Sequence, residues 1–157
     1  MTKQEVKYVH GGGDLLDQIK VLWEALNEHH RQHSPNFKEH YSKTTFEKRK
    51  TDLLKKAALG KMRVDLAVDE ASEQSVEYCV SSLNPEKTGE IESIFVDAAY
   101  RGLGIGDSLM KKALNWMKHE GAVAKIVEVG AGNEQAFGFY ARYGFLPRKT
   151  VLKQVGK

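Results

Sequence analysis

Residues 91–109 constrain the fold more than any other stretch of this chain. An apolar run with strand character, containing Ile91, Ile94, Phe95 and Val96, leads into glycines at alternate positions, Gly102, Gly104 and Gly106. Leu109, Met110, Ala113, Leu114 and Met117 then recur at helical spacing. A strand, a glycine loop and a helix N-terminus together aim unbonded backbone N–H groups at one point, where the helix dipole also favours negative charge. The segment reads as a cradle for phosphate.

Two familiar phosphate loops do not fit it. A Walker loop needs Gly-Lys followed by Ser or Thr, but Asp107 follows Gly106. The dinucleotide fingerprint needs Gly-x-Gly-x-x-Gly after a first strand. Here every second residue is glycine, and the loop follows what reads as the fourth strand. A plain glycine turn joining strand to helix remains the structural alternative.

The rest of the chain alternates between the two periodicities. Residues 5–10 read as a first strand. From residue 14 to about 33, Leu15, Leu16, Ile19, Leu22, Trp23 and Leu26 mark a helix that Ser34 and Pro35 stop. A second helix is predicted over 45–59, then strands over 62–68, 75–82 and 89–96 joined by short polar turns, as in an antiparallel meander. After the helix that follows the loop, 123–129 reads as a strand, 133–143 as a short helix and 145–154 as a last strand. The 157 residues suit one domain with its own core. A net charge of +3 does not call for nucleic acid, and the single cysteine, Cys79, allows neither an intrachain disulfide nor a cysteine-based metal site. Without an apolar leader or membrane-length run, a cytoplasmic protein is the expectation.

Arg101, Gly102, Leu103, Gly104, Ile105 and Gly106 match Arg/Gln-x-x-Gly-x-Gly/Ala, and in this the loop resembles the pyrophosphate-binding motif of the GNAT superfamily of acetyl-CoA-dependent N-acetyltransferases. The resemblance extends to Asn133, Ala136, Tyr140, Gly144 and Phe145, which are similar to that family's second signature, Asn-x-x-Ala-x-x-x-Tyr-x-x-x-Gly-Phe. The two motifs together span residues 90–145. The first half matches only in element order.

The resemblance implies an α/β (α+β) fold: a mixed, mostly antiparallel sheet with helices on both faces and a cleft where the fourth and fifth strands splay. It implies acetyl-CoA as cosubstrate and direct attack of an amine in a ternary complex. Ile94, Phe95 and Val96 would meet the pantetheine arm, and Arg101, Gly102, Leu103, Gly104, Ile105, Gly106 and Asp107 the pyrophosphate. Asn133, Phe137 and Tyr140 would complete the cofactor contacts, with Asn133 also able to cap its helix.

Acyl transfer requires an amine that loses its proton and a leaving thiolate that gains one. Tyr140 aligns with the family's tyrosine near the CoA sulfur, and a phenol is matched to that acid role. By spacing alone it equally suits an amphipathic core. For the base, strict alternation puts Glu92 on a face with Ile94 and Val96, away from Ser93 and Phe95. A carboxylate among apolar residues is out of place unless it meets water or a ligand. Glu92 also resembles the glutamate of polyamine acetyltransferases. Glu128, which interrupts Val127 and Val129, is similar to the base of protein N-terminal acetyltransferases and ranks second. Simple ion pairing or solvation is the alternative for both.

In the family the first helices form a wall of the acceptor pocket, making Trp23, Glu24, Asn27, His30 and Tyr41, with Glu92, the acceptor-site candidates. Trp23 also suits the core. His29 and His33 have a spacing that can chelate, yet polar or cationic residues at a helix C-terminus are favoured by the dipole alone, and no metal is expected. The expected function is acetylation of a primary amine of a small molecule, such as a polyamine or amino acid. The alternatives are a peptide N-terminus or lysine, or a CoA-binding module without catalysis. A homodimer is possible.

Overall fold

The computed structural model describes residues 5–96, 100 and 102–156. Its sheet has five strands in the order β1-β2-β3-β4-β5. These are β1 (Val6–Gly11), β2 (Lys61–Asp69), β3 (Ser75–Leu83), β4 (Thr88–Val96) and β5 (Ala124–Val127). The first four pair antiparallel, and β5 runs parallel to β4. Tight polar turns explain the meander, and the parallel β5 follows from the long crossover through the helix after the glycine loop.

Among the described residues five α-helices cover the two faces: α1 (Lys20–His33), α2 (Lys38–Lys43), α3 (Phe46–Leu59), α4 (Ile105–His119) and α5 (Phe137–Ala141). The helix read from residue 14 onwards begins as a 3-10 turn, Gly13–Ile19, before becoming α1. Helix α3 starts where Thr45 caps it, its side chain accepting the Lys48 N–H at 3.1 Å. One core lies under α1 and α3, where Leu16, Ile19, Leu22, Trp23, Phe46 and Leu53 meet Val64, Leu66, Tyr78 and Val80. The other lies under α4, where Leu109, Met110, Ala113 and Met117 meet Ala67, Cys79 and Ile91.

Three expectations need correction. Helix α2 lies where no element was expected; six residues are too short for periodicity to register. The last strand, over 145–154, does not form: residues 146–156 hold no strand or helix. The faces of β4 also differ from strict alternation. In the β3–β4 pairing Val80 stands opposite Ser93 and Ser81 opposite Ile91, so Glu92 is an extra residue. This β-bulge turns the Glu92 side chain to the α3 side together with Ser93. There Ser93 Oγ bonds the Tyr78 hydroxyl at 2.8 Å, and Phe95 joins the α1/α3 core while Ile94 joins the α4 core.

Candidate active site

Pairing between β4 and β5 ends at Ile91 and Val127, so the two strands part beyond that point. The opening is a cleft of about 100 Å³ lined by Ile91, Glu92, Ser93 and Ile94 from β4 and by Val127, Glu128, Val129, Gly130 and Asn133 from β5 and its sequel. Leu26, His30 and Tyr41 close one side and Tyr140 another. The wall is tight. A Cβ at Gly130 would stand 2.9 Å from the Tyr41 hydroxyl, and one at Gly132 would stand 2.0 Å from the His33 carbonyl oxygen. Only glycine at position 132 lets the loop after β5 lie against the end of α1.

Among the cleft residues, Tyr140 is half-buried against the α4 core beside Phe139 and Phe145. Burial pushes its hydroxyl up to about 12, so it stays protonated through the neutral range. It is fitted to donate a proton or hydrogen bond and unfitted to act as a base.

The two carboxylates have different surroundings. The Glu92 side chain is 1% exposed. It accepts from Ser82 Oγ at 2.6 Å and from Lys56 Nζ at 2.9 and 3.0 Å, with Arg49 at 3.4 Å. Its lone pairs are therefore engaged by α3 and β3. Glu128 is exposed at the lip of the cleft, and among the described residues no hydrogen bond or ion pair holds it.

The first-half candidates separate in the same way. Trp23 is 7% exposed and packs on Phe46, with ring centroids 5.7 Å apart. It is a core residue and does not line the cleft. Asn27 spends its amide on the Tyr41 carbonyl at 2.9 Å, tying α1 to α2, and Glu24 is exposed on α1. His30 and Tyr41 do face the cleft, with rings 5.6 Å apart. Burial, then the neighbouring His29 and His33, pushes the His30 imidazole below its ordinary value, so its neutral form prevails near neutrality. Among the described residues no group of His, Cys, Asp and Glu has the arrangement of a metal site.

The anion cradle stands at the start of α4. Gly102 and Gly104 have φ of 82° and 75°, the left-handed region that favours glycine, and Gly104 caps the helix. The first N–H groups of an α-helix have no intrahelical partner, which suits the start of α4 to an anion. Arg101 and the preceding residues 97–99 lie outside the described residues. Leu103 and Phe137 are exposed, while Ile105 is buried in the α4 core. Asp107 is bonded by the Tyr143 hydroxyl and by Lys111 at 2.9 Å, with Arg142 at 3.8 Å. These donors hold its carboxyl below the ordinary range, the Tyr143 bond foremost, and they bring cations to the loop. Asn133 accepts from the Gln135 amide at 2.7 Å and lines the cleft.

One charged residue was missed in the sequence. Glu77 on β3 is 1% exposed, and among the described residues its Oε2 has no partner. It lies beneath Gly106, and burial pushes its carboxyl up to about 8. In its neutral form it puts no negative charge under the cradle. The signal was present: Glu77 interrupts the apolar run of Val76, Tyr78 and Val80, the same pattern that singled out Glu92.

A pyrophosphate-bearing cosubstrate fits this donor set: glycine backbone, a helix N-terminus, nearby cations and a cleft leading to Tyr140. Comparison with known proteins agrees. The sequence model of the acetyltransferase (GNAT) family matches residues 22–145. An uncharacterised N-acetyltransferase of Methanocaldococcus jannaschii is 40% identical over 74 residues, covering 46% of this chain and 32% of that protein. N-alpha-acetyltransferase 30 of Schizosaccharomyces pombe is 35% identical over 65 residues, covering 41% of this chain and 43% of that protein. The matched part thus spans less than half the length of these curated relatives. The crystal structure of a GCN5-related N-acetyltransferase from Ralstonia eutropha superposes with a TM-score of 0.74 at 18% identity, over 96% of this chain and 99% of that one, which shows a shared fold.

Proposed function

Because the chain belongs to the acetyltransferase (GNAT) family, we propose that it acetylates a primary amine of a small molecule with acetyl-CoA, by direct attack in a ternary complex. The observation that carries this reading is the cleft between β4 and β5, which brings Tyr140 and Glu128 to one opening. Acetyl-CoA supplies the acetyl group as a thioester. Backbone groups of residues 102–107 hold the pyrophosphate, with Lys111 and Arg142 close by. Residues 94–96 lie along the pantetheine path. Asn133 and Phe137 are assigned to the cofactor arm.

Glu128 takes the acceptor amine's proton, directly or through water, and so frees the nitrogen lone pair. The C–N bond forms as the C–S bond breaks, and the departing sulfur takes the Tyr140 proton. Between the two carboxylates we favour Glu128, because Glu92 already carries Lys56, Arg49 and Ser82. Glu92 then fixes β4 to α3 and acts on the site by position. His30 and Tyr41 contact the acceptor. A cleft of about 100 Å³ suits an aminoalkyl group.

A second reading, a peptide N-terminus as acceptor, draws support from the name of the Schizosaccharomyces pombe relative. Release of free thiol from acetyl-CoA, followed with matched panels of small amines and short peptides, tests both. Turnover with small amines only is expected. Turnover with peptides only replaces the acceptor class, and thioester binding without turnover on either panel overturns catalysis.

A further inference from the structure

Asp107 is the third residue of α4, inside the turn whose N–H groups face the cradle. An acidic side chain there suits the helix dipole and needs no other partner. It nevertheless has three. The Tyr143 hydroxyl donates to Oδ1, Lys111 Nζ stands 2.9 Å from Oδ2, and Arg142 reaches Oδ1 at 3.8 Å. Lys111 is a neighbour one turn along the same helix. Tyr143 and Arg142 arrive from just beyond α5. Burial, then Asp107 itself, pushes the Tyr143 hydroxyl up to about 12, and the same bond is the main cause that holds the Asp107 carboxyl below its ordinary range. Donor and acceptor thus keep their forms through the neutral range, and the bond between them is charge-assisted.

Helix α5 needs such a hold. It has five residues, Phe137–Ala141, and a helix so short does not sustain itself. Phe139, Tyr140 and Phe145 rest on the α4 core, but apolar contact is non-directional and leaves a side chain's exact place open. Among the described residues, the polar contacts that leave residues 137–145 for another element all end on Asp107. The link from there to Tyr140 is short. The Tyr143 and Phe145 N–H groups both donate to the Tyr140 carbonyl oxygen, at 3.0 and 3.1 Å. The Phe139 ring also stands between the two tyrosines, its centroid 5.3 Å from that of Tyr140 and 5.4 Å from that of Tyr143. Whatever fixes Tyr143 therefore fixes the backbone that carries Tyr140.

We propose that Asp107 is a positioning residue: through the bond from Tyr143 it holds α5, and with it the Tyr140 hydroxyl, at a fixed place in the cleft between β4 and β5. The first turn of α4 would then do two things, gripping the pyrophosphate with its backbone and setting the acid with a side chain. An acid displaced by about 1 Å loses about 10²-fold in rate, so a tether of this kind acts on turnover and not on cosubstrate affinity. The effect on rate rests on acyl transfer with Tyr140 as the acid; the hold on α5 does not.

Hydrogen exchange of the full chain without cosubstrate, beside steady-state kinetics, tests it on Tyr143→Phe, Asp107→Ala, Asp107→Asn, Tyr140→Phe and the double Tyr140→Phe/Tyr143→Phe variant. Tyr143→Phe keeps the ring and removes only the hydroxyl. It and Asp107→Ala should speed exchange at residues 137–145 by about tenfold and leave the rest of the chain as in the parent. Asp107→Asn, which keeps an acceptor oxygen for Tyr143, should stay close to the parent. Tyr143→Phe should lower kcat by about tenfold with KM for acetyl-CoA within about twofold, and should cost no further rate once Tyr140 is Phe. Unchanged exchange in Tyr143→Phe and Asp107→Ala overturns the proposal. So does faster exchange with no loss of kcat where Tyr140→Phe has one, or losses that multiply in the double variant. If no amine is turned over, or Tyr140→Phe costs no rate, the acid role of Tyr140 falls, and the exchange data alone decide whether Asp107 holds α5.

Discussion

Glu77 and Gly106 meet beneath the first turn of α4: Glu77 Oε1 lies 3.1 Å from where a Cβ on residue 106 would stand. The contact leaves a carboxyl in an apolar site under a loop built for anions. Its folded-state value is raised from 4.5 to about 8 by burial. The folded protein therefore holds a proton there that the unfolded chain releases. Stability from this group is fully present below about pH 4.5 and falls as pH rises through about 8. Glu77→Gln should remove that slope and stabilise the protein above pH 8 by on the order of a few kcal/mol at most. Thermal melts of both proteins at pH 6 and pH 9 check it; parallel profiles would count against a protonated Glu77.

The two cleft carboxylates should respond differently to loss of charge. Glu128→Gln is expected to lower kcat by roughly 10²-fold, the range of a general base, and to flatten the acid limb of the pH–rate profile. Glu92→Gln leaves Lys56 and Arg49 without their anion and should lower stability by about 1–3 kcal/mol while keeping the shape of that profile. Melting curves and pH–rate profiles on both variants separate the roles, and the reverse pattern would return the base to Glu92.

Tyr140→Phe keeps the ring contacts with Phe139 and Phe145 and removes only the hydroxyl. A fall in kcat of about 10²-fold is expected, with acetyl-CoA affinity within about twofold of the parent, since well under 1 kcal/mol of binding is at stake. Calorimetric titration with CoA beside steady-state kinetics gives the comparison. An equal loss of both would reduce Tyr140 to a packing residue.

His30 provides a test at acid pH. Its folded-state value lies below the ordinary 6.5, because burial disfavours the charged ring and His29 and His33 add to this. The unfolded chain thus takes up the proton first, and stability is lost as pH falls through 6.5. His30→Asn should flatten the melting temperature between pH 7 and pH 5 relative to the parent. An unchanged slope would place the acid sensitivity elsewhere.

The glycine loop and the residue pattern from Asn133 to Phe145 were legible because their chemistry is local: backbone angles, helix starts and a tyrosine one turn from a glycine. The β-meander and α3 were legible through periodicity. Glu92 was placed on the wrong face because alternation assumes one residue per pairing step, and a bulge depends on the partner strand. Trp23 was ambiguous since a large aromatic at helical spacing serves a core or a pocket equally. Residues 145–154 carry strand composition, yet a strand also needs a partner edge, which composition does not supply. Helix α2 was too short to register as a periodic signal.

The bulge at Glu92 has a further consequence, one of counting. Downstream of it the strand's two faces are exchanged relative to a plain alternation, so Ile94 enters the α4 core and Phe95 the α1/α3 core only because one residue is surplus. Without the surplus residue, Ile91 and Ile94 would stand two positions apart and keep their shared α4 face by plain alternation. What the bulge adds is thus a second consecutive side chain on the α3 face, so that Glu92 reaches Lys56 while Ser93 reaches Tyr78 and neither core loses a residue.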